Sequence, residues 1–261
     1  MSLTTRREFL LAGGLGAVGA VFGKPIRGCM GAGNFTPSEN RPYSASDYVQ
    51  DGLVCLFDGK ENAGFGVHDP QNPVWTALVG GINAVRQDGT IVWTDNSCEF
   101  HSPLYFKVNS VFGKPQTMTI EVSHHSVPAS GSRYGALFSC LESGGVGIQQ
   151  NQNYQRWKMQ CGGVPSGYTG QLIQEAENSF QTLAYVVGDN YASSIKDGVV
   201  VQSVQKSVGI RYNYNYYQIG RDPGDSGNIV GKIFSIRLYN RDLTDMELKY
   251  NHMIDMERFG A

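Results

Sequence analysis

The apolar positions of this chain recur mostly with a period of two. Such alternation puts every second side chain on one face and marks a half-buried β-strand. Residues 117–123 show it most cleanly, with Met118, Ile120 and Val122 alternating with Thr119, Glu121 and Ser123. The first set is expected to face a core and the second to face out. Leu53, Cys55 and Phe57 alternate likewise with Val54 and Leu56, after which Asp58-Gly59 turns the chain. Short strands are further predicted over residues 75–79, 90–93 and 100–106. A buried strand over 135–140 runs toward the Gly144-Gly145 turn, and 147–149 pairs with 156–160 as a hairpin. Residues 181–187 form a core strand. Asp197-Gly198 then joins 191–196 to 199–201, a two-residue signal in which glycine supplies positive φ at little cost. Strands over 216–219 and 232–239 close the series.

One stretch changes period. Thr244-Asp245-Met246-Glu247 reads as a capping box, in which the threonine accepts from the N3 amide and the glutamate reaches back to the cap. Met246, Tyr250, Met253 and Ile254 follow at helical spacing and are expected to dock the helix on the sandwich edge. The whole is therefore all-β with a short C-terminal helix.

Composition agrees. Of 261 residues, 17% are charged, 41% are hydrophobic and 33 are glycine, a balance that favours short strands and tight turns over helices. A formal net charge of −2 offers no basic field to gather phosphates, so nucleic acid is not an expected partner. The five cysteines, Cys29, Cys55, Cys98, Cys140 and Cys161, include no C-x-x-C and are read as buried free thiols.

The chain divides into residues 1–46, a signal-like or anchoring segment with a linker, and residues 47–261, one domain. Arg6-Arg7-Glu8-Phe9-Leu10, followed by a mild Gly- and Ala-rich apolar run, resembles a twin-arginine export signal. The run is too short for a transmembrane helix. An uncleaved anchor that docks the domain on a larger particle fits the same residues. Gly, Pro, Ser and Asn dominate 31–46, as in linkers.

Candidate chemistry is sparse. Retaining glycoside hydrolysis needs two carboxylates about 5–5.5 Å apart, and no strand carries such a pair. Glu175-Ala176-Glu177 has the spacing but reads as a solvated loop. Adjacent His124 and His125 would point to opposite faces of a strand, which disfavours zinc. Catalysis is not expected, and no cofactor is expected apart from a possible calcium ion. Calcium takes six to eight oxygens, and Asp222, Asp225 and Asn228 cluster in one loop. A glycan would instead meet aromatic faces and amides. Tyr212, Asn213, Tyr214, Asn215 and Tyr216 form the most conspicuous such run, with Tyr154 and Trp157 in a second Gln/Asn-rich set beginning at Gln149.

The order of these pieces resembles the laminin-G-like (concanavalin A-like) jelly-roll family. Residues 118–123, the valine-rich 183–187 with the Tyr191…Asp197-Gly198-Val199 hairpin, and Ile219-Gly220 carry the likeness. Its most specific part is Gly231-Lys232-Ile233-Phe234-Ser235-Ile236-Arg237-Leu238-Tyr239-Asn240-Arg241-Asp242-Leu243-Thr244. The resemblance implies a two-sheet antiparallel jelly-roll sandwich. Such domains occur in secreted adhesins, glycan-binding proteins and virion proteins of gut bacteria and their phages. It implies a non-catalytic, surface-displayed module that recognises a glycan or protein receptor. The alternative is a structural or decoration subunit, anchored by its N-terminal segment to neighbouring virion or fibre subunits. The first places the protein at the cell surface or outside the cell, the second on a virion.

Overall fold

The computed structural model describes residues 42–109, 113–128, 135–141, 144–150, 156–162, 168–175, 179–206, 209–224 and 227–260. A 3-10 turn at Ala45–Asp47 leads into β1 (Leu53–Asp58), β2 (Val74–Val79), β3 (Asn83–Asp88), β4 (Val92–Trp93), β5 (Cys98–Phe100) and β6 (Tyr105–Asn109). Next come β7 (Met118–Pro128), β8 (Ala136–Ser139), β9 (Val146–Gln150), β10 (Arg156–Gly162), β11 (Tyr168–Glu175) and β12 (Gln181–Val187). The chain closes with β13 (Tyr191–Lys196), β14 (Val199–Gln205), β15 (Tyr216–Ile219), β16 (Ile229–Tyr239) and helix α1 (Asp245–Phe259).

The strands pair in one path, β11-β10-β9-β8-β15-β6-β3-β2-β1-β16-β7-β12-β13-β14, with β5 beside β16 and β4 beside β5. The β1–β2 ladder is irregular, with a register shift between Leu56 and Phe57. The path doubles back, so that β11 lies against β13 and β14. Trp157 and Met159 of β10 thereby share one core with Leu183 and Tyr185 of β12. This is an all-β sandwich. Trp75 sits in it edge-on to Trp93 at 5.4 Å and beside Phe57 at 5.7 Å, with its indole N–H donating to the Asp58 carbonyl at 3.0 Å. Cys55, Cys98, Cys140 and Cys161 are buried free thiols, as expected, while Cys29 lies outside the described residues.

Most predicted strands stand, and so does the hairpin: Asp197 and Gly198 take φ of 52° and 72° between β13 and β14. Residues 100–106 divide into the end of β5 and the start of β6, because Ser102-Pro103 turns the chain and proline has no N–H for a ladder. The outward set on β7 is a correction. Thr119, Glu121 and Ser123 do leave the main core, but α1 and the loop that leads into it, which bonds Thr119 through Arg241 and Leu243, cover them, and none is more than 1% exposed. The expected apolar stripe of α1 is corrected in part, since Ile254 is buried with Tyr250 packed against its cluster. Met246 is 50% exposed, whereas Glu247, Leu248, Asn251, Ile254, Asp255, Arg258 and Phe259 are buried.

The reason is the surface beneath. Arg237 of β16 is fully buried and donates to Glu121 at 3.0 Å and, through two nitrogens, to both oxygens of Asp255 at 2.7 Å. Asn251 donates to the same Glu121 carboxylate at 2.6 Å, and Tyr48 O–H to Asp255 at 2.7 Å. A helix docking on a buried guanidinium must bring carboxylates and amides rather than methionines. The capping box is as expected, with Thr244 Oγ accepting from the Glu247 amide and Glu247 accepting from the Thr244 amide at 2.9 Å.

Candidate functional site

The second arm of the path has one face on the core and one facing away. Register assigns the side chains. Tyr216 and Gln218 of β15 stand opposite Asn109 and Lys107 of β6, and Gln218 also stands opposite Ser139 of β8. Ser139 is paired with Gly147 of β9, and Gln149 of β9 with Lys158 of β10. Cross-strand partners share a face, so tyrosine, lysine, serine and glutamine side chains from five strands line one surface.

At one end the surface is aromatic and cationic. The Tyr214 and Tyr216 rings lie 4.9 Å apart at 44°. The Lys107 ammonium sits 4.2 Å from the Tyr216 ring centre, and the Arg221 guanidinium 4.9 Å from that of Tyr105. All five side chains are half-buried, so a visiting molecule meets ring area and charge together.

At the other end lies a buried polar floor. The Asp222 carboxylate accepts a short hydrogen bond from Ser139 Oγ. Gln149, with its amide nitrogen turned to that carboxylate, donates to the two oxygens at 3.1 and 3.0 Å and accepts from Gln160 Nε2 at 3.1 Å. A Cβ on Gly147 would fall 2.6 Å from Ser139 Oγ, so glycine there leaves room for the serine–aspartate contact. Partial burial lowers the pKa of Lys158, and the Asp222 charge opposes that shift. The Gln160 and Gln218 Oε1 atoms are buried and have no hydrogen-bond partner among the described residues.

The residues singled out in the sequence divide. Tyr214 and Tyr216 stand together on this face, with Asn213 before them and Asn215 between them, both exposed. Tyr212 turns inward instead. Its hydroxyl donates to the Pro115 carbonyl at 2.8 Å, and burial raises its pKa. Trp157 is a correction: it is fully buried and meets the His124 ring edge-on at 5.6 Å, because β10 turns it to the core and Lys158 outward. A ring so enclosed has no face for a ligand. Tyr154 and Asp225 lie outside the described residues. Asp222 belongs to the floor, while Asn228 Nδ2 points to Ser102 Oγ at 3.3 Å. The Asp222 oxygens accept from Ser139 and Gln149, and among the described residues no three His, Cys, Asp or Glu side chains form a ligand group.

Sequence reading missed Tyr105, Lys107, Ser139, Gln160, Gln218 and Arg221. Gln218 had a signal, since it is two residues beyond Tyr216 on a strand and so shares its face. Lys107 and Ser139 had none, because only the register brings them there.

This architecture recurs in proteins of known structure. The receptor-binding domain of botulinum neurotoxin type G superposes with a TM-score of 0.58 at 12% identity, covering 78% of this chain and 52% of that one. That of botulinum neurotoxin D gives 0.54 at 14%, with 78% and 52% covered. Domain 4 of AbnA, a GH43 extracellular arabinanase from Geobacillus stearothermophilus solved with arabinotriose, gives 0.56 at 14%, covering 76% of this chain and 96% of that one. The chain thus spans about half the length of the neurotoxin domains and nearly all of the arabinanase domain. These likenesses establish the β-sandwich fold. No protein-family model matches the chain, and neither does any curated protein.

Proposed function

We propose that this protein is a non-catalytic binding module of the laminin-G-like, concanavalin A-like kind, which holds a glycan, free or on a receptor, on the outer face of β6, β15, β8, β9 and β10. One observation carries the reading: the Tyr214–Tyr216 ring pair continues into a floor of glutamines with two buried acceptor oxygens that no described residue satisfies. Rings stack on the apolar faces of sugars, and buried amides select hydroxyls. The similar sandwiches include receptor-binding domains and one solved with arabinotriose, which supports the reading. Export to the cell surface or beyond belongs to the same proposal and is supported by the Arg6-Arg7 pattern.

A glycan array probed with folded full-length protein tests this. Binding to at least one glycan is expected. Replacing Tyr216 by alanine should weaken it about tenfold, roughly 1.4 kcal/mol, with the fold unchanged by circular dichroism. An array without hits, or full binding by the variant, overturns the proposal.

A further inference from the structure

We propose that the ligand of this face is an acidic saccharide, bound with its carboxylate or sulfate on Lys107 and a ring hydroxyl on Gln218. The inference rests on the glycan-binding reading above and adds the charge of the glycan. Two independent features point to it. The first is the pair of orphaned acceptors. The Gln218 side chain is 9% exposed and that of Gln160 is 1% exposed, and the Oε1 of each lacks a donor among the described residues. A buried carbonyl oxygen asks for an O–H or N–H donor, which a sugar hydroxyl supplies.

The second feature is the cation beside them. Lys107 is the cross-strand partner of Gln218. Side chains so placed start about 4.5–5.5 Å apart at Cβ, so both belong to the same patch of the face. The ammonium of Lys107 rests over Tyr216 and forms no ion pair among the described residues. The Asp222 carboxylate sits in the floor on Ser139 Oγ and makes no ion pair with Lys107 among the described residues. Arg221, over Tyr105, adds positive charge along the same edge. A neutral sugar would fill the amide floor and leave the ammonium facing no anion. A carboxylate or sulfate would give it a charge-assisted hydrogen bond while the sugar ring lies beside Tyr216.

The test measures binding of the full-length protein to immobilised polygalacturonate, hyaluronate and dextran sulfate, with methyl-esterified polygalacturonate and plain dextran as neutral counterparts. Lys107→Met and Lys107→Arg variants are measured alongside. The proposal expects at least one acidic polymer to bind about tenfold more tightly than its neutral counterpart. Added salt should weaken that binding. Lys107→Met should lose the preference, and Lys107→Arg should keep most of it. Whether polygalacturonate or dextran sulfate binds separates carboxylate from sulfate. Equal binding of acidic and neutral polymers, or a preference that survives Lys107→Met, overturns the acidic ligand and leaves the glycan-binding reading standing. Absence of binding to every polymer overturns the acidic ligand, and the glycan array alone decides the glycan-binding reading.

Discussion

At the scale of single residues, the best-determined chemistry lies beneath the helix rather than on the binding face. Arg237, Glu121 and Asp255 are buried together, and burial raises the Glu121 carboxyl, with Arg237 offsetting part of the shift. For Asp255 burial also pushes upward, but Arg237 outweighs it and holds the carboxyl below its ordinary value. Replacing Arg237 by methionine should strand two buried carboxylates and cost about 3–5 kcal/mol, read as a fall in the urea midpoint. Asp58 gives a pH signature of opposite sign to that of Asp255. Burial, opposed by Arg258, raises it from 3.8 to about 6. Its contribution to stability is therefore fully present below about pH 4 and lost as pH rises through about 6. Wild type should lose stability relative to Asp58→Asn across that window, and a constant difference would refute the assignment. These roles were only half legible. Alternation correctly sent Glu121 to the far side of β7, but nothing local tells that the far side is covered. Trp157 misled for the converse reason: an aromatic in a polar run looks exposed until the register of β9 and β10 turns it inward.

At the scale of elements, legibility followed local chemistry. The β13–β14 hairpin and the helix cap were readable because a turn and a cap are each specified by residues adjacent in sequence. Gly198 adds a constraint that only the structure shows. It has φ of 72°, and a Cβ there would lie 2.9 Å from Lys249 Cα in α1. Gly198→Val should therefore destabilise by about 1–3 kcal/mol in chemical denaturation, whereas Thr244→Ala should cost only about 1 kcal/mol, the usual price of a lost cap. Strand β3 was missed because Asn83, Arg86, Gln87 and Asp88 give it almost no apolar alternation, and only Ala84 is buried. Its ladder with β6, not its composition, makes it a strand.

At the scale of the whole molecule, the candidate face is assembled from residues between Tyr105 and Asp222 that no sequence window contains. The tyrosine pair was legible as a run. Its partners were not, because the path order that sets β6 beside β15 and β15 beside β8 is a long-range fact. The N-terminal segment is a separate question. Export through Arg6-Arg7 predicts a mature protein that begins within about residues 21–30 by intact-mass measurement, and retention of Met1 favours the anchored, virion-type reading. The location of the binding face is tested most directly by backbone amide chemical-shift mapping of the full chain, titrated with a glycan that the array selects. The largest shifts are expected at 105–109, 139, 147–149 and 214–222. Shifts confined to α1 or to β14, on the other arm of the path, would contradict it.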